Sequence, residues 1–255
     1  MLCFVSAPCI YSAITTFATM KQVIFSDLGL KPYKEAWDYQ EELLKKNVAI
    51  KAAARERGEK DDESKFVTTD RLLFTEHEPV YTLGKSGKPA NVLLNEEQLA
   101  EKSISYFHIN RGGDITFHGP GQIVGYPILD LEHFKTDLGW YLRSLEEVII
   151  LTLAEYGLKG ERSPGETGVW LDASIKGRER KICAMGIRCS RWVTMHGFAL
   201  NVNTNMDYFN FIIPCGIQGK QVTSLAKELG HNVPIEEVKE KLKKHFETVF
   251  DAQLV

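Results

Sequence analysis

Cysteine is scarce and unorganised in this 255-residue chain: Cys3, Cys9, Cys183, Cys189 and Cys215 are odd in number, irregular in spacing and without a CxxC pair. That argues against a disulfide framework and a thiolate zinc site, and points to a reducing compartment. Charge of neither sign dominates. Lys and Arg number 31 against 34 Asp and Glu, for a formal net charge of -3, and no basic block is interleaved with aromatics. Such a chain has no field to gather nucleic acid. Long apolar runs are lacking too. Residues 1–19 are apolar, but Ser6, Pro8, Ser12, Thr15 and Thr16 interrupt them and no basic residue precedes Lys21. They make a poor secretory signal and a poor membrane span, so a cytoplasmic protein without a membrane partner is expected, with 1–19 as an extension or mobile tail. No HExxH, paired-carboxylate motif or carboxylate-rich loop offers a metal site. Neither GxxxxGK[ST] nor GxGxxG offers a phosphate cradle.

What the chain does have is glycine in one place. Arg111 to Gln122 holds four glycines, Pro120, Arg111 and His118 within twelve residues, between strand-like flanks. Two glycines would suffice for a hairpin. Four imply that the main chain passes close to a ligand, since the lost entropy needs a return.

The rest reads as a mixture of strands and helices without regular βαβα alternation, hence an α+β class. Strands are expected at Val23–Ser26, Leu72–Thr75, Val80–Leu83, Ile104–Ile109 and Ile123–Leu129. Others are expected at Val169–Leu171, Ile182–Val193 and Phe198–Val202. A helix from about Pro32 carries Tyr33, Ala36, Trp37, Leu43, Leu44 and Val48 on one stripe, with Gln40 as an interruption. Lys51 to Lys65 is nearly all charged or small and reads as a frayed end or a solvated insertion. A second helix spans about Leu138 to Tyr156, with Asp137 and Gly157 as caps. A third runs from about Pro234 to Phe250. Residues 20–255 are read as one domain, with a small lobe after Asn210 as a possibility.

Cys215 follows Pro214 and precedes Gly216, a bend that could present a sulfur; a buried structural thiol is the equally simple alternative. An apolar setting raises a thiol pKa, so a reactive Cys215 needs a base or cation beside it. Lys181, His118 and His196 are the candidates. Cys183 and Cys189 read as strand-packing residues.

Seven segments in order now carry a resemblance. They are Glu76 to Gly84, Arg111 to Gln122, Tyr126 to Leu131, Gly168 to Trp170, Lys181 to Gly186, His196 to Asn201, and Pro214 to Ile217 with Val222 to Leu225. Over about residues 20–250 the chain resembles the lipoyl(octanoyl) transferases. The resemblance implies a lipoate/biotin protein ligase-like fold, a mixed β-sheet packed with helices. It implies transfer of an octanoyl or lipoyl group from acyl carrier protein to a lysine of lipoyl domains, in the E2 subunits of 2-oxoacid dehydrogenases and in glycine cleavage H protein. Cys215 would match the nucleophile and Lys181 the group that activates its thiol. Arg111, Gly112, Gly113, Asp114, Ile115, Thr116, Phe117 and His118 would line the acyl site, completed by Ala184, Met185, Gly186, Gly197, Phe198 and Ala199. Because the donor is already a thioester, the resemblance implies no ATP and no metal. Phe117 stands where such proteins often carry Tyr.

Overall fold

The computed structural model describes residues 20–56, 67–213 and 221–255. In chain order the elements are β1 (Lys21–Lys31), α1 (Tyr33–Glu56), β2 (Arg71–His77), β3 (Val80–Leu83), α2 (Glu96–Glu101), β4 (Ser105–His108), β5 (Ile115–His118) and β6 (Gln122–Ile128). There follow α3 (Leu138–Ala154), β7 (Val169–Leu171), β8 (Arg180–Ser190), β9 (Val193–Asn201), β10 (Gln221–Val222), α4 (Leu225–Leu229), α5 (Ile235–Phe250) and β11 (Ala252–Leu254).

The large sheet has the order β10-β8-β9-β6-β2-β1-β11, with β7 on β8, and a small sheet has the order β4-β3-β5. Parallel pairs (β1–β2, β1–β11, β8–β10) and antiparallel pairs (β2–β6, β6–β9, β8–β9) coexist, so the sheet is mixed. Period-two alternation assigns its two faces. Leu72, Phe74, Ile123, Leu200 and Cys183 pack with α3 and α5. Leu73, Val124, Tyr126 and Ala199 turn the other way, toward α1. Every residue of β6 and β9 is buried, because both faces are covered. The stretch after Asn210 packs into the same body: α5 shares the core of α3, and β11 extends β1.

Local chemistry sets the element ends. Asp137 caps α3 by accepting the Trp140 N–H at 2.9 Å, and Gly157 follows the helix in the left-handed region (φ +72°). The β8–β9 hairpin turns at Arg191 and Trp192 (φ 50° and 66°). The apolar spacing, which breaks between Val193 and Phe198, does not mark that turn; the two strands run as one continuous hairpin.

The expected insertion at Lys51 begins instead as helix. α1 continues to Glu56, and residues 57–66 lie outside the described part of the chain. Lys51 is buried. Its ammonium pairs with the buried Asp130 carboxylate and with Glu132 at 2.9 Å, while Asp130 also accepts from Thr68 Oγ1 at 2.9 Å. Charge in the sequence implies solvent exposure here, and the buried Lys51–Asp130 pair reverses it. Removing one partner leaves the other desolvated and alone, which costs about 3 kcal/mol or more. Lys51→Met is therefore expected to lower the urea midpoint clearly, with the double variant Lys51→Met/Asp130→Leu recovering much of the loss.

Candidate active site

A cavity of about 290 Å³ lies on the α1 side of the large sheet. Its floor is defined by what is missing. On β8 and β9, Ala184 faces Ala199 and Gly186 faces Gly197, so four cross-strand neighbours present a methyl or nothing. Gly186 is fixed by more than the floor: a Cβ there would stand 2.8 Å from Gly112 O and 3.1 Å from Arg111 Cδ. The glycine-rich segment thus presses against β8, and the Gly112 N–H donates to Ile187 O at 2.9 Å.

Within that segment Ile115–His118 forms β5, a strand not anticipated among the glycines. Arg111, Gly113, Asp114, Ile115, Thr116 and His118 line the cavity, as do Lys181 and Met185. Gly112 and Phe117 do not. Phe117 turns to the opposite side of β5 and stacks on Tyr208 at 4.4 Å in a separate apolar cluster. Phe198 borders the cavity, while its ring packs with the α3–α5 core against Phe74.

The polar wall is tightly connected. Arg111 Nη2 donates to Thr82 O (2.7 Å) and Thr82 Oγ1 (3.0 Å); the Thr82 hydroxyl faces His118 Nε2 at 3.3 Å. The other ring nitrogen, Nδ1, donates to Gln122 Oε1 at 2.8 Å. The Gln122 amide in turn reaches Asn201 Oδ1 at 2.8 Å, and the Asn201 amide donates to Thr223 O at 3.0 Å. His77 donates from Nδ1 to Lys31 O (2.9 Å) and accepts the Tyr126 hydroxyl at Nε2 (2.7 Å). These bonds fix both rings as neutral tautomers.

His196 sits at φ 57° inside β9, a left-handed conformation that a non-glycine residue holds only when its surroundings impose it. Gln40 supplies part of that restraint: its Oε1 accepts the His196 backbone N–H at 2.9 Å. The residue that interrupts the apolar stripe of α1 is therefore fully buried and bonded to the cavity wall. Lys181, at the β10 end of β8, extends its ammonium over the Trp170 ring at 4.5 Å.

Cys215 lies outside the described residues, as do Cys3 and Cys9. The flanks of its segment are described. Ile213 N donates to Asn91 O, and the Asn91 amide holds the Asp114 carboxylate at 3.0 and 2.8 Å; Val222, on β10, lines the cavity. Cys183 and Cys189 are, as expected, strand-packing thiols. Cys183 is buried in the core, and burial pushes its thiol well above the ordinary range.

Several wall residues had no distinct signal. Tyr33 reads as one more apolar-face residue of a helix, yet it lines the cavity and stacks on His118 at 5.9 Å. Gly165, Glu166 and Thr167 come from a loop whose Ser-Pro-Gly composition marks only a turn. Asn201 ends the β9 motif and could have been singled out as a buried amide at a strand end.

A model of the lipoyl protein ligase A/B catalytic domain matches residues 32–247. The chain belongs to this family. The octanoyltransferase of Christiangramia forsetii is 59% identical over 235 residues, 92% of this chain and 98% of that protein. The octanoyltransferase of Flavobacterium psychrophilum is 58% identical over 236 residues, 92% of this chain and 99% of its own length. Among solved structures, the bipartite lipoate protein ligase of Thermoplasma acidophilum superposes with a TM-score of 0.64 at 16% identity, covering 92% of this chain and 86% of that one. That likeness establishes the ligase-like fold, and the high-identity relatives make this family member an acyltransferase.

Burial dominates the titration of the family member's cavity-wall histidines and of His77 behind them. It depresses His77 to about 4 and His196 to about 3, and holds His118 well below its ordinary value, with nearby positive charge adding to the last two. Below pH ~6.5 the unfolded chain protonates these rings while the folded chain does not. Stability is then expected to fall as pH drops from ~6.5 toward 4, by up to about 1.4 kcal/mol per pH unit for each such histidine. Urea titrations at pH 7, 6 and 5 check this; His77→Gln should flatten the slope. Among the described residues there is no His/Cys/Asp/Glu group suited to a metal, and no helix long and apolar enough to cross a membrane.

Proposed function

We propose that this protein transfers an octanoyl or lipoyl group from acyl carrier protein to a lysine of lipoyl domains, through a thioester on Cys215, in the cytoplasm. The Cys215 thiolate attacks the donor thioester carbonyl. A new C–S bond forms and the carrier's phosphopantetheine thiolate leaves, taking up a proton. The acceptor lysine amine then attacks the acyl-enzyme. An amide C–N bond forms, the Cys215 thiolate departs, and the amine loses its proton. Splitting one transfer into two easier steps is the gain of covalent catalysis. Lys181 accepts the thiol proton and stabilises the thiolate. No ATP or metal is needed, because the thioester is already activated. Acceptors are the lipoyl domains of 2-oxoacid dehydrogenase E2 subunits and glycine cleavage H protein.

The observation that carries this reading is the cavity with its side-chain-free floor: Ala184, Gly186, Gly197 and Ala199 leave a slot for an unbranched chain, and Lys181 stands at one end of it. Pockets of this size suit a small ligand held by apolar contact and a few polar groups. The relatives' activity, octanoyl transfer, supports the same reading.

Intact-mass analysis after mixing the protein with octanoyl-acyl carrier protein, without ATP, is the test. One octanoyl adduct, labile to hydroxylamine and discharged by an added lipoyl domain, is expected. An adduct formed only from free acid and ATP would instead identify a ligase.

A further inference from the structure

The end of the cavity away from Lys181 is more polar than an alkyl terminus requires. Tyr33 is 4% exposed and lines the cavity, and its hydroxyl has no hydrogen-bond partner among the described residues. Arg111 is 8% exposed and also lines it. The guanidinium is held by the neutral oxygens of Thr82 and by the Gly112 carbonyl, at 3.0 Å, and forms no ion pair with a carboxylate among the described residues. Asp114, whose negative charge bears on Arg111, is engaged by the Asn91 amide. Tyr126 donates its only proton to His77, so it adds no competing donor. The Tyr33 hydroxyl is a donor that opens on the cavity without an acceptor, and Arg111 is a buried cation in the field of Asp114 but with no carboxylate bonded to it among the described residues. Side by side in one cavity, they call for an anion with oxygen acceptors.

Position decides what the anion is attached to. Arg111 packs against Gly186, which lies five residues along β8 from Lys181, a separation of roughly 17 Å at about 3.3 Å per residue. The Lys181 and Arg111 side chains both line the cavity between those points. An extended chain of eight carbons spans roughly 9 Å, given C–C bonds of about 1.5 Å. We infer that Tyr33 and Arg111 form a carboxylate subsite for the far end of a medium-length chain, so that the cavity accepts ω-carboxylated acyl groups as well as plain ones. The inference rests on the acyl-cavity reading above only for what the carboxylate is carried on. Tyr33 donates O–H···O⁻ and Arg111 supplies the opposing charge, while the alkyl segment lies on the Ala184–Ala199 floor.

The test is calorimetric titration of the full chain with octanamide, which carries no carboxylate, and separately with the monoamide of octanedioate, which carries one at its far end, for wild type, Tyr33→Phe and Arg111→Met. In the wild type, the monoamide is expected to bind at least tenfold more tightly than octanamide. Tyr33→Phe is expected to lower the monoamide-to-octanamide affinity ratio about tenfold, the loss of one hydrogen bond to a charged group. Arg111→Met should lower the ratio further; if that variant does not fold, Tyr33→Phe alone decides. A monoamide that binds no more tightly than octanamide in the wild type, or a ratio unmoved by Tyr33→Phe, overturns the subsite. Because binding is read without turnover, a failed octanoyl transfer alongside the expected ratios would remove the proposed reaction and leave this site standing.

Discussion

On the proposed mechanism, Cys215→Ala is expected to abolish octanoyl transfer and the octanoyl adduct together, and Lys181→Ala to lower acyl-enzyme formation by about 10²–10⁴-fold, the usual reach of a general base. The two losses differ in kind. Without the thiol there is no sulfur to hold the acyl group, and residual turnover should be undetectable. Without the ammonium the thiol survives but must ionise unaided, near the ordinary cysteine value of about 8.5. The residual rate of Lys181→Ala is then expected to climb with pH through that value, whereas the wild-type rate levels off at lower pH. Single-turnover acylation followed by mass across pH 6 to 10 reads both. A Lys181→Ala profile parallel to the wild type would assign Lys181 a packing role over Trp170 and remove it from the chemistry.

Ala199→Phe has the second large effect, and it acts by volume. Ala199 sits opposite Ala184 at the middle of the floor, with its methyl on the cavity side. A phenyl group there would occupy the proposed path of the alkyl chain. Octanoyl transfer is expected to fall more than 100-fold, while transfer of a butyryl group, which stops short of the obstruction, falls less than tenfold. The ring enters existing empty space, so destabilisation should stay within the 1–3 kcal/mol typical of overpacking. A uniform loss across chain lengths would mean that the acyl group lies elsewhere.

Much of the fold was legible because its strands alternate and its helices keep their stripe. The N-cap of α3 at Asp137 and the extent of β3 and α5 follow from residues whose preferences agree with their surroundings, whereas the C-cap falls at Glu155, ahead of the expected Gly157. What was misread came from residues whose role is set by distant partners. Lys51 is polar by composition and buried by Asp130, 79 positions away. Gln40 looks like a defect in α1 until it meets His196, 156 positions on. The cavity was legible where sequence density betrays it, at Arg111 to His118. It was illegible at Tyr33, whose phenol is indistinguishable from a core aromatic when read along one helix. Phe117 shows the opposite error: membership in a motif does not say which side of a strand a ring takes.

The floor also biases how this protein can change. Ala184, Gly186, Gly197 and Ala199 are already the two smallest residues, so almost nothing remains to be trimmed. Nearly every single substitution at these positions adds bulk. If the floor carries the acyl chain as proposed, mutational drift across it runs one way, toward shorter chains. Accepting longer ones would demand a movement of main chain, pinned where the glycine-rich segment abuts Gly186, and no point mutation offers that. Chain length in such an enzyme behaves as a ratchet: easily shortened by accident, and hard to lengthen by selection.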